Sequence, residues 1–313
     1  WQGLIVAVLL WLVLRLVPRT FANARYLVAT FSLGLLILAV AATVTIESDM
    51  LDQTAYPHQV ALQTVHFNLA QQSVPAISEN AWLSGIGQWL DENMNLIVIG
   101  WAVGLALFSI RLFTGLMYVQ HLRATAILVE DELHLTVQRL ARQLSIHRLV
   151  SIAASHQLHA PVVIGYFKPL ILFPVGMLAG LSTAQVESII LHELSHVKRH
   201  DYLVNLFQCM AEVGLFFNPF VWFISNTIRT ERENCCDDVA VAKSNDPLGY
   251  ARTLLQLEEI RIGKHAPVLS IHSNKSQLYQ RIQRIMENAV NSRNEKSKTW
   301  PLVALVVIGL VSA

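Results

Sequence analysis

The 313-residue sequence predicts a mostly helical α+β fold, in which a polytopic membrane protein with about four transmembrane helices carries a water-facing domain with a small β-sheet. Composition is the first observation behind this prediction. Hydrophobic residues make up 53% of the chain, charged residues only 14%, and the mean hydropathy of +0.44 is far above that of soluble proteins. The second observation is that apolar runs flank one long segment, 123–298, that is patterned as in soluble proteins.

Residues 1–46 predict a transmembrane hairpin. Two apolar runs, 1–17 and 26–46, are joined by a short connector. Because a membrane-spanning helix needs about 20 residues, the first run is slightly short, and we expect its start to precede Trp1. Three arginines crowd the connector and its ends: Arg15, Arg19 and Arg25.

Charge patterning predicts the orientation of the chain. The segment 47–93 is acidic and contains no lysine or arginine, whereas basic residues become frequent at the end of a third apolar segment, 94–122. Because lysine and arginine are enriched on the cytoplasmic side of membranes, we expect the arginine-rich connector and the domain 123–298 to be cytoplasmic and the loop 47–93 to be extracytoplasmic. The segment 299–313 begins a fourth apolar helix, which we expect to continue beyond it.

The soluble domain begins with a helical pattern over 133–144 and a strand candidate at 150–153. Two β-prone runs within 161–174 are divided by proline and glycine. They predict either a hairpin beneath the next helix or a sheet edge that binds an extended peptide by strand addition. A further apolar run, 203–228, is broken at Asn218-Pro219, so we expect two packed helices there instead of another span. Helices at 249–262 and 277–287 and a polar connector at 288–298 complete the domain.

The metal-binding pattern lies on a helix that begins at Ser182, with Gln185 at the capping-box position. His196 follows His192 by four positions, which places both imidazoles on one face of the helix with Glu193 between them. This HExxH spacing is typical of zinc peptidases, whose histidines bind Zn²⁺ and whose glutamate acts as general base. An ordinary amphipathic helix with two chance histidines is the alternative.

Three downstream glutamates are candidates for a third ligand: Glu212, Glu231 and Glu233. Coordinating side chains are commonly oriented by a second acid, so an acid four residues later on the same helix face favours one candidate. Glu233 has such a partner in Asp237, and it follows His192 by 41 residues. A charged helix face over 229–238 is the alternative. Four residues remain open as the donor that would stabilise an oxyanion or otherwise assist the site: His200, Arg229, Tyr250 and His265.

Two classes of function are disfavoured by the composition. No long basic run with interleaved aromatic residues occurs, so we expect no nucleic-acid partner. The three cysteines, Cys209, Cys235 and Cys236, do not make a disulfide framework and suit a reducing compartment.

Three stretches set between apolar runs together resemble the integral-membrane metallopeptidases of the BlaR/MecR type, the transducers of β-lactam sensing. These are HELSHVKRHDYLVN at 192–205, NPFVW at 218–222 and ERENCCDD at 231–238. The resemblance covers nearly the whole chain. It departs from the family at Asn218, where relatives often carry histidine, and at Cys235-Cys236, where they often carry a single cysteine.

The resemblance implies a gluzincin-like zinc protease domain on the cytoplasmic side of the bacterial inner membrane. His192, His196 and Glu233 would bind Zn²⁺, Glu193 would be the general base and Asp237 would orient a ligand. An extracytoplasmic signal would then lead to cleavage of the protein itself or of a cytoplasmic protein such as a transcriptional repressor, with the lipid bilayer and further copies of the chain as other partners. The alternatives are a membrane quality-control metalloprotease and a non-proteolytic receptor with a structural zinc site. Glu193 argues against the receptor, because a structural site needs no base.

Overall fold

The computed structural model describes residues 1–54, 81–178, 180–262 and 268–294, and in this part of the chain ten helices surround one small mixed sheet. The helices are α1 (Gln2–Leu16), α2 (Ala22–Thr54), α3 (Ala81–Ala124), α4 (Asp131–Gln143), α5 (Val175–Leu178), α6 (Thr183–Arg199), α7 (Asp201–Gly214), α8 (Pro219–Ser244), α9 (Pro247–Ile262) and α10 (Val268–Asn294). The strands are β1 (Ser151–Ser155), β2 (Val162–Ile164) and β3 (Leu170–Pro174). The predicted mostly helical α+β composition is confirmed.

Two of these helices are long and apolar enough to cross a membrane, over Ala22–Met50 in α2 and Gly85–Ala124 in α3. The apolar helix α1 is shorter, with 15 residues, and packs against α2. The predicted apolar helices near 26–46 and 94–122 are therefore confirmed. The number of four spans remains a prediction, and 299–313 lies outside the described residues.

Both long helices extend into the segment predicted as a loop, 47–93. Helix α2 continues to Thr54, and α3 already begins at Ala81. The chain between residues 47 and 54 contains neither proline nor glycine, so the helix does not end where the sequence becomes polar. Residues 55–80 lie outside the described part of the chain.

The sheet has the strand order β1-β3-β2. Strand β1 runs parallel to β3, and β2 runs antiparallel to β3, which confirms the predicted hairpin within 161–174. Among the described strands, β2 also forms an edge of the sheet. The sheet shares an apolar core with α4, α6 and α9, whose most buried members include Leu140, Ile152, Ile171 and Ile190.

Helix α6 begins as the capping box predicts. Ser182 Oγ accepts a hydrogen bond from the N–H of Gln185, and the Gln185 side chain accepts one from the N–H of Ser182. The helix ends at His200, whose φ of 60° lies in the left-handed region and turns the chain directly into α7. Its middle is buried, with His192 and Glu193 each only 8% exposed.

Helix α8 connects the apolar hairpin to the metal-binding region. It begins after Asn218, whose side chain accepts from the N–H of Phe220, and Pro219 occupies its first turn, so the predicted break is confirmed. Its 26 residues span about 39 Å. The second half carries Glu233 and Asp237. The first half packs against α1 and α2 through Val221, Ile224 and Ile228.

The connector between α1 and α2 is fixed to the second half of the chain. Arg25 Nε donates to Glu231 Oε1 at 2.6 Å, and Arg25 Nη1 donates to two carbonyls at the end of α1 at 2.7 and 2.8 Å. From α10, Arg284 Nε donates to the carbonyl of Arg19 at 3.0 Å. The connector therefore lies on the same side of the molecule as α10 and the middle of α8.

Candidate metal centre

Two helices bring the three predicted ligands together. Helix α6 carries His192 and His196, α8 carries Glu233, and one donor atom of each residue lies within 4.8 Å of the others. The Nε2 atoms of His192 and His196 are 3.4 and 3.8 Å from carboxylate oxygens of Glu233. Two imidazoles and one carboxylate are a donor set that catalytic zinc sites use.

The outer nitrogen of His192 is held by two neighbours. Its Nδ1 is 2.9 Å from the hydroxyl of Tyr250 and 3.2 Å from Asp237 Oδ1. Tyr250 donates its own proton to Asp237 at 2.7 Å, so its oxygen is left to accept the Nδ1–H of His192. This arrangement leaves the lone pair of His192 on Nε2, the nitrogen that faces Glu233.

The outer nitrogen of His196 is held in the same way by Asp201, whose Oδ2 is 2.8 Å from Nδ1. Asp201 follows His196 by five residues and reaches back to it because the left-handed turn at His200 ends α6. The hydroxyl of Tyr26 donates to the other oxygen of Asp201 at 3.2 Å. Cys236 Sγ lies 3.4 Å from the same Nδ1 and 3.8 Å from Asp201 Oδ2. Both histidines are therefore oriented by carboxylates.

Glu193 is the acid of the site that is not engaged. Its side chain lines a cavity of about 310 Å³ beside both histidines. Within the described part of the chain its carboxylate has no hydrogen-bond donor, and burial raises the pKa of Glu193 above its ordinary value despite the nearby histidines. A carboxyl group with a raised pKa that faces a cavity is suited to accept and return a proton.

The charged groups of the site shift one another's pKa values. Burial opposes charge on His192, but its hydrogen bonds to Asp237 and Glu233 outweigh burial and raise the pKa of His192 to about 10. Burial likewise opposes charge on the two acids, yet their bonds to His192 and the guanidinium of Arg281 hold the pKa values of Glu233 and Asp237 well below the usual range.

The cavity is lined by strand backbone and by polar side chains. The strand backbone comes from β2 and the turn after it, where Gly165 adopts a φ of 82°. His200 also lines the cavity, and its Nδ1 is 2.6 Å from Arg148 Nη2. Because arginine donates, Nδ1 accepts, and the proton of neutral His200 lies on Nε2. The lining residues are Arg148, Pro161, Val162, Val163, Gly165, Tyr166, Pro169, His192, Glu193, His196, Val197, His200, Asp201, Tyr202, Asn205, Arg232 and Glu233.

The other candidate ligands have different partners. Glu212 accepts from Arg229 and Ser225, both of which belong to α8, and Glu231 is paired with Arg25. Neither glutamate lines the cavity, and neither does Arg229, which the sequence offered as an accessory residue.

The four candidates for the oxyanion donor are placed differently. Tyr250 is buried behind His192, Arg229 lies outside the cavity, and His265 is outside the described residues. Of these four, His200 lines the cavity.

Zinc fits this site by the chemistry of its donors. Both rings present Nε2 toward one carboxylate, both outer nitrogens are held by acids, and a base stands free in the adjoining cavity. Sequence reasoning missed Asp201 and Arg281 as members of the site, and it considered Tyr250 as a donor to the oxyanion, not as the partner of His192 and Asp237. Of these, the spacing of Asp201 to His196 was visible in the sequence, but the turn that returns it was not. Tyr250 and Arg281 come from α9 and α10, and no local pattern connects them to His192.

The chain is similar to known peptidases and regulatory proteins. The family model described as BlaR1 peptidase M56 matches residues 2–285. The regulatory protein BlaR1 of Bacillus licheniformis is 28% identical over 221 residues, which are 68% of this chain and 36% of that protein. The methicillin resistance mecR1 protein of Staphylococcus aureus strain Mu50 is 28% identical over 109 residues, 34% of this chain and 19% of that protein. The chain thus spans about a third or less of the length of these relatives. Because the family model covers most of its length, the chain belongs to the BlaR1 peptidase M56 family.

Proposed function

We propose that this protein is a membrane-embedded zinc endopeptidase that transduces an extracytoplasmic signal by cleaving itself, a cytoplasmic regulatory protein, or both. The observation that carries the proposal is the contrast among the acids around the histidines. Glu233, Asp237 and Asp201 are engaged with the imidazoles, whereas Glu193 stands free at the cavity. A structural metal site has no use for such an unengaged base.

In this proposal His192, His196 and Glu233 hold the metal ion. Zinc, when bound, supplies a Lewis acid and makes water a stronger acid. Glu193 takes a proton from the attacking water and returns it to the leaving amide nitrogen. His200 donates Nε2–H toward the oxygen of the scissile carbonyl, because Arg148 fixes the proton on that nitrogen.

The substrate is proposed to bind as an extended strand along β2. One side of β2 pairs with β3, and residues of β2 and of the following turn line the cavity beside Glu193. A strand edge offers backbone donors and acceptors to any sequence, so recognition here depends on an unfolded or flexible segment of substrate.

The cytoplasmic location of the metal centre is also part of the proposal. The arginine-rich connector contacts α8 and α10 through Arg25 and Arg19. Whichever side of the membrane holds this connector therefore also holds the metal centre, and arginine-rich connectors are cytoplasmic by the charge rule. The names of the relatives, regulatory protein BlaR1 and methicillin resistance mecR1 protein, support a role in signalling.

A Glu193→Gln substitution tests the proposal in membranes that contain the tagged full chain. We expect the variant to retain zinc. We expect the rate at which fragments of the chain or of a co-expressed candidate repressor appear to fall by about 100-fold or more, because a general base contributes that much to the rate. Glu187→Gln is the matched control, since Glu187 lies on the same helix but pairs with Arg139 away from the cavity. Fragmentation that persists unchanged in Glu193→Gln would overturn the proposed mechanism, and zinc-loaded wild-type chain that cleaves nothing would favour the non-proteolytic receptor.

A further inference from the structure

One guanidinium serves both acids that α8 contributes to the metal centre. Arg281 of α10 donates to Asp237 from Nε at 2.8 Å and from Nη2 at 2.6 Å. Its remaining nitrogen, Nη1, lies 3.6 Å from Glu233 Oε2. The third proposed ligand and the acid that orients the first ligand are therefore held by the same side chain.

The contact with Asp237 is a two-point fork that fixes the carboxylate in rotation as well as in position. Each oxygen of Asp237 accepts one N–H of Arg281, and Oδ1 also accepts the hydroxyl of Tyr250. Asp237 is fully buried, so no solvent replaces a donor that is lost. A change at Arg281 is transmitted through Asp237 to Nδ1 of His192.

We propose that Arg281 is a positioning residue of the metal centre, and that the docking of α10 completes the site. Arg281 is not proposed to touch substrate. It acts by holding Glu233 toward the two imidazoles and by fixing the proton of His192 on Nδ1 through Asp237. The inference rests on the proposed metal site. It adds that α10, which follows both ligand-bearing helices in the chain, determines how tightly that site binds zinc.

A simpler explanation of the contact between Arg281 and Asp237 is that it only attaches α10 to α8. The chain contains a second ion pair between the same two helices, which has that structural role alone. Arg284, one turn further along α10, forms a two-point contact with Asp238 through Nη1 and Nη2 at 2.8 and 2.6 Å, and Nη1 also donates to the carbonyl of Asn234. Its side chain is 6% exposed, against 22% for Arg281. Asp238 contacts none of the proposed ligands among the described residues. Arg284 is thus the matched control for a purely structural role.

The test is zinc affinity of the purified full chain in detergent, measured by competition with a chromophoric chelator, for Arg281→Gln, Arg281→Lys, Arg284→Gln and Arg284→Lys. We expect Arg281→Gln to weaken zinc binding 10-fold to 100-fold, as loss of an outer-shell partner commonly does, and Arg281→Lys to recover part of it. Arg284→Gln lowers the melting temperature but leaves zinc affinity within about twofold of wild type, because its fork touches no ligand. The inference would be overturned if Arg281→Gln bound zinc within about twofold of wild type, or if Arg284→Gln lost as much zinc affinity as Arg281→Gln.

Cobalt substitution keeps the test decisive if Arg281→Gln does not fold. The lysine variants retain the positive charge, and we expect the visible spectrum of bound Co²⁺ to change in Arg281→Lys and to match wild type in Arg284→Lys. Identical spectra in the two variants and in wild type would contradict the positioning role. Because neither readout requires proteolysis, a chain that binds zinc tightly but cleaves nothing would refute the proposed function while leaving the role of Arg281 measurable.

Discussion

Glu212 and Glu233 are both glutamates downstream of the histidines, but only Glu233 faces them. Glu233 lies within 4 Å of both Nε2 atoms, whereas Glu212 accepts from Arg229 and Ser225. We expect Glu233→Ala to lose zinc during dialysis and Glu212→Ala to retain it, although removal of Glu212 leaves Arg229 unpaired and lowers stability by about 1–3 kcal/mol. Metal analysis of both purified variants measures this. Zinc lost from Glu212→Ala alone would show that the third ligand is misassigned.

His200 is expected to affect turnover without affecting metal content. Its Nδ1 is occupied by Arg148, and it shares the cavity with Glu193. If its Nε2–H stabilises the oxyanion, His200→Ala reduces kcat by about 100-fold at unchanged zinc content. The backbone at this position is left-handed, so His200→Asn, which tolerates that conformation, is the control for the turn. Equal activity of wild type and both variants would remove His200 from the mechanism.

Helical spacing is the reason that much of the site is readable from the sequence. His192 and His196 lie on one face of α6, and Glu233 and Asp237 on one face of α8, because residues four apart are neighbours on a helix. The pairing of the two faces depends on how α6 and α8 pack. Arg281 is invisible to this reasoning, because its partners lie more than 40 residues away and no local period relates them.

At the scale of elements, the start of α8 is stabilised by one side-chain hydrogen bond, the N-cap at Asn218. Asn218 accepts from the N–H of Phe220, a donor that has no partner within the helix. We expect Asn218→Ala to lower stability by about 1 kcal/mol, observed as a lower melting temperature in detergent. Asn218→Ser retains an acceptor and should lose less.

The control for this cap is Asn226→Ala in the same helix. Asn226 is exposed, and its side chain has no hydrogen bond in the described part of the chain, so the substitution should be neutral or slightly stabilising. An equal loss of stability in both alanine variants would mean that the cap contributes nothing.

Element types were more predictable than element ends. The β-hairpin, the capping box of α6 and the break before α8 follow from proline, glycine, serine and asparagine at defined positions. The ends of α2 and α3 do not, because hydropathy marks where a chain becomes polar and a helix continues until its backbone is interrupted. For that reason the predicted loop 47–93 is helical at both margins.

At the scale of the whole molecule, a buried ion pair joins the apolar hairpin to helix α8. The side chains of Arg25 and Glu231 are 12% and 6% exposed, and Arg25 also binds the end of α1. Removal of one partner leaves a buried charge, so we expect Arg25→Gln to cost about 3–5 kcal/mol and to lower the melting temperature markedly.

Arg15→Gln provides the comparison for this ion pair. Arg15 belongs to the same arginine cluster, but it lies over the ring of Trp11 and forms no ion pair with a described acid, so its loss should cost under about 1 kcal/mol. If Arg25→Gln and Arg15→Gln have the same melting temperature, the ion pair does not stabilise the contact between the apolar hairpin and α8.

Composition predicts that such a chain has a membrane part and a water-facing part, and it predicts nothing about their contact. That contact is made by the first half of α8, which packs on α1 and α2. No pattern among the apolar residues of α8 predicts which helices they contact. The predicted orientation of the molecule rests on charge alone, through the arginines of the connector.

The groups of the proposed metal centre are spread along the chain from His192 to Arg281, and this order has a consequence for biosynthesis. A nascent chain that has emerged from the ribosome only as far as α6 offers two imidazoles, and it gains the third proposed ligand only when most of α8 has followed. Arg281, which we propose to hold that ligand in place, emerges later still. If these residues hold the metal as proposed, we expect no cleavage of neighbouring chains at the translocation machinery before α10 has emerged.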